Sequence, residues 1–177
     1  MSKSQNLDDL ISRLEEKEKE ASIIYADEET EQMVIFRLDD YLLAFPGRSV
    51  FEIATLDQIT RIPGLPSFFS GLVTLRGTVE AVINLKKILN IPFDSPVYGT
   101  RILFLRYDDH ILGALADYVQ DVIAVPKSNL HAPLQTLDEH KAEFVLGEFE
   151  YREQQVAFLN AQKVFQKITD LTKTGSL

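Results

Sequence analysis

Residues 36–43 read FRLDDYLL and residues 105–112 read LRYDDHIL, so the two stretches match without a gap at a separation of 69 residues (105 minus 36). A second pair, residues 71–76 and 147–152, matches at a separation of 76 residues (147 minus 71). Each member of this second pair precedes an apolar run that leads into a short helical pattern. One loop insertion accounts for the change of offset, so the sequence predicts two copies of one unit of roughly 70 residues.

The pattern within each copy is typical of β-strands. From Met33 onward, short runs rich in Val, Ile, Phe and Tyr alternate with turn-forming pairs such as Asp-Asp, Pro-Gly and Arg-Gly. Helical periodicity returns only at Leu85–Leu89 and Asn160–Leu171. Two repeats are too few for a solenoid, so we expect an all-β fold of two small barrels or sheets packed together, with short helices added.

These patterns divide the chain into two parts. Residues 1–31 are expected to form an N-terminal helical extension and acidic linker, and residues 32–177 the main domain. Within the main domain we expect two pseudo-repeated β subdomains at about 33–92 and 100–168, with some exchange of strands. The starting Met and the complete duplication favour a free-standing chain over a fragment of a larger kinase.

The N-terminal segment is amphipathic and strongly acidic. It holds four Lys/Arg against ten Asp/Glu in residues 1–31, a net charge of −6. Its apolar residues follow a heptad, and they are Leu7, Leu10, Leu14, Ala21 and Ile24. Such a helix either packs on its own domain or docks on a partner, and the sequence leaves both possibilities open.

Composition excludes several classes of partner. The net charge of −9 offers no concentrated basic patch for phosphate backbones or anionic lipid, so neither nucleic acid nor direct membrane binding is expected. No stretch has the length and apolarity of a membrane span or a secretory signal, and we expect a cytoplasmic protein. The absence of cysteine fits a reducing compartment.

A search for catalytic or cofactor chemistry finds no candidate. The three histidines lack metal-ligand spacing, and no phosphate loop or nucleophile elbow is present. Adjacent carboxylates such as Asp39 and Asp40 fall at hairpin turns, where acidic residues usually form the turn. We therefore expect no catalytic residues, no metal, no cofactor and no enzyme activity, but a protein that works through its surfaces.

One block of sequence carries a resemblance to a known family. It comprises LDQITRIP at 56–63, Pro66, GLVTLRG at 71–77 and VINL at 82–85, and the similarity continues at 113–119 and 158–159. These motifs resemble CheW-like chemotaxis coupling proteins over roughly residues 33–168. The resemblance implies two five-stranded SH3-like barrels, which agrees with the duplication inferred from the repeats.

The resemblance also implies partners and a binding surface. In that family a non-enzymatic adaptor joins the cytoplasmic tip of a methyl-accepting chemoreceptor to the regulatory domain of a CheA-type histidine kinase. Receptor-side residues lie near the groove between the two subdomains. The matching positions in this sequence are Val50, Glu52, Ile53, Gly71, Arg76 and Gly77.

The structural roles of these residues have alternatives. Val50 and Ile53 are either core or contact residues, and Arg76 forms an ion pair with Glu52, contacts a partner, or does both. Gly77 most simply permits a positive φ or a bulge.

Two departures from the family motif bear on the pathway. Ala81 and Asn84 stand where the family commonly has Pro and Asp, and Asn160 repeats the second departure. They favour an alternative assignment to a parallel chemosensory pathway, such as type IV pilus or surface motility. A regulator that binds a small molecule in the groove between the barrels is a further alternative.

Overall fold

The computed structural model describes residues 28–92, 101–133 and 139–174. The chain divides into two units, residues 1–30 and residues 31–177. The second unit is described below. The helix expected in the first unit lies outside the described residues.

Strands dominate the described residues, in agreement with the all-β expectation. They are β1 (Thr30–Leu38), β2 (Tyr41–Pro46), β3 (Val50–Thr55), β4 (Phe69–Leu75), β5 (Thr78–Asn84), β6 (Arg101–Tyr107), β7 (His110–Ala116), β8 (Tyr118–Pro126), β9 (Val145–Tyr151) and β10 (Gln154–Leu159). Because β1 already begins at Thr30, the last two residues of the expected acidic linker belong to a strand.

Three helices accompany the strands in the described part of the chain. They are α1 (Leu85–Ile88), α2 (Glu139–Ala142) and α3 (Ala161–Thr174). The two helical patterns found in the sequence are thus confirmed in α1 and α3, whereas α2 was not expected. Two 3-10 turns, Gly47–Ser49 and Lys127–Asn129, follow β2 and β8.

The strands form two five-stranded sheets of matching topology. The first has the order β8-β1-β2-β10-β9 and the second the order β3-β6-β7-β5-β4. The orders coincide when each strand of one half is replaced by its repeat in the other half. Each sheet takes a hairpin from one half of the chain and three strands from the other, so the halves exchange strands.

Each sheet curls so that its outer strands meet. In the second sheet, the Thr60–Leu72 bridge joins the segment after β3 to β4. In the first sheet, the His131–Glu148 bridge does the same for β8 and β9. Closure of this kind removes exposed strand edges and makes each sheet a small barrel. The two are called the first and second barrel below.

The hydrophobic core has three parts, because central strands are buried on both faces. On β1, Val34 and Phe36 point into a cluster between the barrels, whereas Met33 and Ile35 point into the first barrel. Ile102 and Phe104 fill the second barrel in the same way from β6. This arrangement explains why these strands are continuously apolar in sequence instead of alternating.

The repeats match at single residues as well. The Asp-Asp hairpins place Asp39 at φ 52° and Asp108 at φ 51°, a region that Asp tolerates better than most residues. Asn84 accepts a hydrogen bond from the backbone N–H of Lys86 at 3.0 Å, and Asn160 accepts one from Lys163 at 3.3 Å. Asn caps helices about as well as Asp, so asparagine at these two repeat-related positions leaves the helix starts intact.

Candidate functional site

A groove of about 500 Å³ lies where an outer strand of each barrel approaches the other barrel. Val50, Glu52 and Ile53 line it from β3, and Val122 lines it from β8. Sequence reasoning proposed the first three, and the structure brings them together. It missed Val122, although Val122 is the repeat equivalent of Ile53 at a separation of 69 (122 minus 53).

The groove presents apolar side chains to solvent. Ile53 is 38% exposed and Val122 is 51% exposed, whereas Val34 at its base is buried. Val50 packs partly against the central core, so it serves both as a core residue and as part of the groove lining. Apolar residues exposed together beside charged ones are typical of a protein-docking surface.

Arg76 lies at the tip of the β4–β5 hairpin. Arg76 has φ 49° and Gly77 has φ 87°, and positive φ at both central residues is the pattern of a type I′ turn. The Arg76 side chain therefore projects from a turn. The positive φ expected for Gly77 is confirmed.

Arg76 forms the ion pair expected with Glu52. Its Nε lies 2.8 Å from Oε2 of Glu52, although that buried oxygen receives no aligned hydrogen bond from the described residues. The guanidinium also lies 5.6 Å from the ring centre of Phe51, and that of Arg106 lies 4.0 Å from the same ring. Because the Arg76 side chain is largely exposed, the pair contributes little stability and the guanidinium stays accessible to a partner.

Gly71 has a packing role away from this groove. A Cβ atom at this position would lie 2.4 Å from the backbone oxygen of Thr60, which forms the bridge that closes the second barrel. Gly147 in the first barrel has the same 2.4 Å relation to His131. The glycines therefore permit barrel closure, and a receptor contact by Gly71 stays a prediction.

The other half of the chain repeats the charged hairpin tip, with Arg152 equivalent to Arg76 and Asp121 in place of Glu52. Arg152 Nη2 lies 3.7 Å from Asp121 Oδ2, and the hydroxyl of Tyr151 donates to that oxygen at 2.7 Å. The hydrogen bond from Tyr151, the backbone N–H of Val122 and the charge of Arg152 together lower the pKa of Asp121. The same hydrogen bond, together with burial, raises the pKa of Tyr151.

A buried ion cluster joins the two barrels, and sequence reasoning did not find it. Lys86 in α1 is only 4% exposed, and its Nζ lies 2.7 Å from Asp39 Oδ1 and 3.0 Å from Asp117 Oδ1. Desolvation acts against the charged lysine, but the hydrogen bonds and charges of the two carboxylates outweigh it and raise its pKa. Asp117 also accepts from the backbone N–H of Asp39 at 2.6 Å.

The described residues contain no group of three side chains placed to hold a metal ion. None of their helices has the length and apolarity needed to cross a membrane. The arrangement at the groove is suited to binding another protein and lacks a nucleophile with an adjacent base.

The known proteins that this chain resembles share one domain family. The family model described as the CheW-like domain matches residues 32–169. The chemotaxis protein CheW of Bacillus subtilis (strain 168) is 33% identical over 102 residues, which are 58% of this chain and 65% of that protein. The chemotaxis protein CheW of Helicobacter pylori is 26% identical over 155 residues, which are 86% of this chain and 93% of that protein.

Two further similarities concern pathway and fold. The protein FrzA of Myxococcus xanthus is 28% identical over 138 residues, which are 77% of this chain and 86% of that protein. The crystal structure of the scaffolding protein TtCheW from Thermoanaerobacter tengcongensis superposes with a TM-score of 0.66 at 25% identity. That superposition covers 75% of this chain and 90% of the other, and it confirms the expected pair of SH3-like barrels.

Proposed function

Because this chain belongs to the CheW-like domain family, we propose that it couples methyl-accepting chemoreceptors to a CheA-type histidine kinase in the bacterial cytoplasm. The family and the scaffolding neighbour point to a non-enzymatic scaffold. In the proposed role the chain does no chemistry. It holds the receptor tip and the regulatory domain of the kinase together by two distinct surfaces.

The exposed apolar pair Ile53 and Val122 is the observation that supports the groove as the receptor surface. The two side chains come from different barrels and different halves of the chain, yet they line one groove. A helical hairpin tip that presents apolar side chains fits such a groove, and Arg76 stands beside it at a hairpin tip, paired with Glu52. Gly71 and Gly77 act indirectly, by fixing the backbone of β4 and of the hairpin that carries Arg76.

The proposal is tested with Ile53→Asp, which places a charge in the apolar groove. We expect the variant to lose at least about tenfold in affinity for a purified receptor hairpin fragment, because a carboxylate must be desolvated on docking. Titration calorimetry measures the affinity for the receptor fragment and, separately, the affinity for the kinase regulatory domain. Kinase affinity should stay unchanged.

Val79→Asp is the matched control for this experiment. Val79 is 61% exposed, more than Ile53, but it lies on β5 and does not line the groove. We expect this variant to bind the receptor fragment like the wild type. Equal losses in both variants, or no loss in Ile53→Asp, would place the receptor surface elsewhere.

A scaffold of a parallel pathway, such as one for type IV pili or surface motility, is the second candidate. It is favoured by Ala81 and Asn84 in the family motif and by the similarity to FrzA. Deletion of the gene separates the two candidates. Loss of flagellar chemotaxis supports the first, and loss of surface motility with intact chemotaxis supports the second.

A further inference from the structure

Arg48 lies in the turn by which the chain crosses from the first barrel to the second. This turn, Gly47–Ser49, links β2 to β3. A Cβ atom at Gly47 would lie 2.9 Å from Cβ of Gln32, so the turn is packed closely on β1. The backbone of Arg48 is thereby fixed, while its side chain is 65% exposed and lines the groove together with Ile53 and Val122.

The ion pair of Arg48 is exchangeable. Its Nη1 contacts Oε1 of Glu31, the second residue of β1. The Glu31 side chain is only 19% exposed, so water competes mainly for the exposed guanidinium. A carboxylate brought into the groove by a partner can therefore compete with Glu31 for the guanidinium, whose fork of donors suits a carboxylate.

The internal duplication indicates that the fold does not need an arginine here. Asp117 is the repeat equivalent of Arg48 (117 minus 48 is 69) and lies at the other crossover, between β7 and β8. There the charged side chain turns inward to the buried Lys86. The same position is structural in one half, whereas in the other half it presents a cation beside an apolar groove.

We propose that Arg48 is a specificity-determining residue of the groove, which selects a receptor hairpin that carries a carboxylate next to its apolar contact residues. This inference rests on the proposed receptor-coupling function. Glu31 holds the guanidinium at the rim in the free protein and gives it up on docking. Other charges also lie at this part of the groove. Glu52 lines it and pairs with Arg76, and the guanidinium of Arg106 lies 4.0 Å from the ring centre of Phe51 in the lining.

The test compares full-length variants in their affinity for purified cytoplasmic hairpin fragments of the cell's own methyl-accepting receptors. Arg48→Ala should weaken binding about fivefold and flatten its dependence on salt, and Arg48→Glu should weaken it further. Arg61→Ala is the control, since Arg61 is exposed but lines a different cavity. It should leave the affinity unchanged.

A double-mutant cycle then identifies the partner group. Each carboxylate at the tip of the bound hairpin is changed to its amide, with and without Arg48→Ala. One carboxylate should show coupling, so that its loss has no further effect once Arg48 is absent. Glu31→Gln distinguishes a binding role of Arg48 from a structural role of its ion pair. This variant should leave the affinity for the receptor fragment unchanged or raise it. A loss equal to that of Arg48→Ala would show that the ion pair acts only by holding β1 in place, and it would overturn the proposal.

The remaining outcomes distinguish this inference from the function on which it rests. If Ile53→Asp abolishes binding while Arg48→Ala changes it less than about twofold, the groove binds the receptor without selection by Arg48. If neither variant affects binding, or if none of the receptor hairpins binds the wild type, the proposed receptor surface fails and this inference fails with it.

Discussion

At the residue scale, Lys86 shows how a charge can be buried at little apparent cost. Asp39 comes from the β1–β2 hairpin of the first barrel, and Asp117 lies in the crossover from the second barrel to the first. The ammonium group thus satisfies two carboxylates that would otherwise repel each other, and it connects three separate elements. Such a cluster adds geometric specificity even where its net contribution to stability is small.

Removal of this charge should be costly because Asp39 and Asp117 lose the ammonium group that balances their charges. We expect Lys86→Met to lower the free energy of unfolding by about 3 kcal/mol, and Lys86→Met with Asp39→Asn and Asp117→Asn to recover most of the loss. Urea unfolding of the three proteins measures both effects. A single variant as stable as the wild type would contradict the role given to Lys86.

The pH dependence of the same cluster has a definite sign. The pKa of Lys86 is raised above its ordinary value of 10.5, so its contribution is complete below that pH. It declines as the pH rises through the higher pKa of the folded state. The stability difference between wild type and Lys86→Met should therefore shrink as the solution becomes strongly alkaline.

At the element scale, the β4–β5 and β9–β10 turns place different residues at the same position of positive φ. Gly77 occupies φ 87° in the β4–β5 turn, and its repeat equivalent Glu153 (153 minus 77 is 76) occupies φ 63° in the β9–β10 turn. A side chain at positive φ is strained by about 1–2 kcal/mol, whereas glycine adopts this region freely. The second hairpin therefore stores strain that the first avoids.

Opposite changes at these two positions should have opposite effects. Gly77→Ala should lower the free energy of unfolding by about 1 kcal/mol, although no described atom lies within 4 Å of the added Cβ. Glu153→Gly should raise it by about 0.5 kcal/mol, since added freedom of the unfolded chain offsets part of the relieved strain. Urea midpoints of both variants check this, and a destabilised Glu153→Gly would mean that the glutamate makes compensating contacts.

The sequence predicted the strands and helices better than it predicted which of them are neighbours in the fold. The period of apolar residues and the Asp-Asp turns identified strands, and the repeat identified their equivalence, because both are local properties. The order of strands is not local: β1 and β8 are neighbours although residues 39–117 separate them. Lys86 was missed for the same reason, since a lysine in a short helix is usually solvated and its carboxylates lie 47 and 31 residues away (86 minus 39 and 117 minus 86).

At the scale of the whole molecule, the exchange of strands makes the two barrels depend on each other. Fragments 28–99 and 100–177 expressed separately should each lack a cooperative unfolding transition, because neither supplies a complete barrel. Mixing them should restore the transition, measured by circular dichroism during urea titration. Independent folding of either fragment would show that three strands and a hairpin suffice without their exchanged partners.

The same exchange governs how the protein is made. While the ribosome has released only the first half of the chain, β1 and β2 lack three of their sheet partners and β3, β4 and β5 lack the hairpin that belongs between them. Open strand edges and apolar faces are then exposed at the tunnel exit, the condition in which nascent chains aggregate or recruit chaperones. The second barrel has all its strands only after Ala116 has emerged, and the first only after Leu159 has. A product terminated within the first half therefore completes neither barrel and is removed by proteases instead of surviving as a half-active competitor for receptor or kinase.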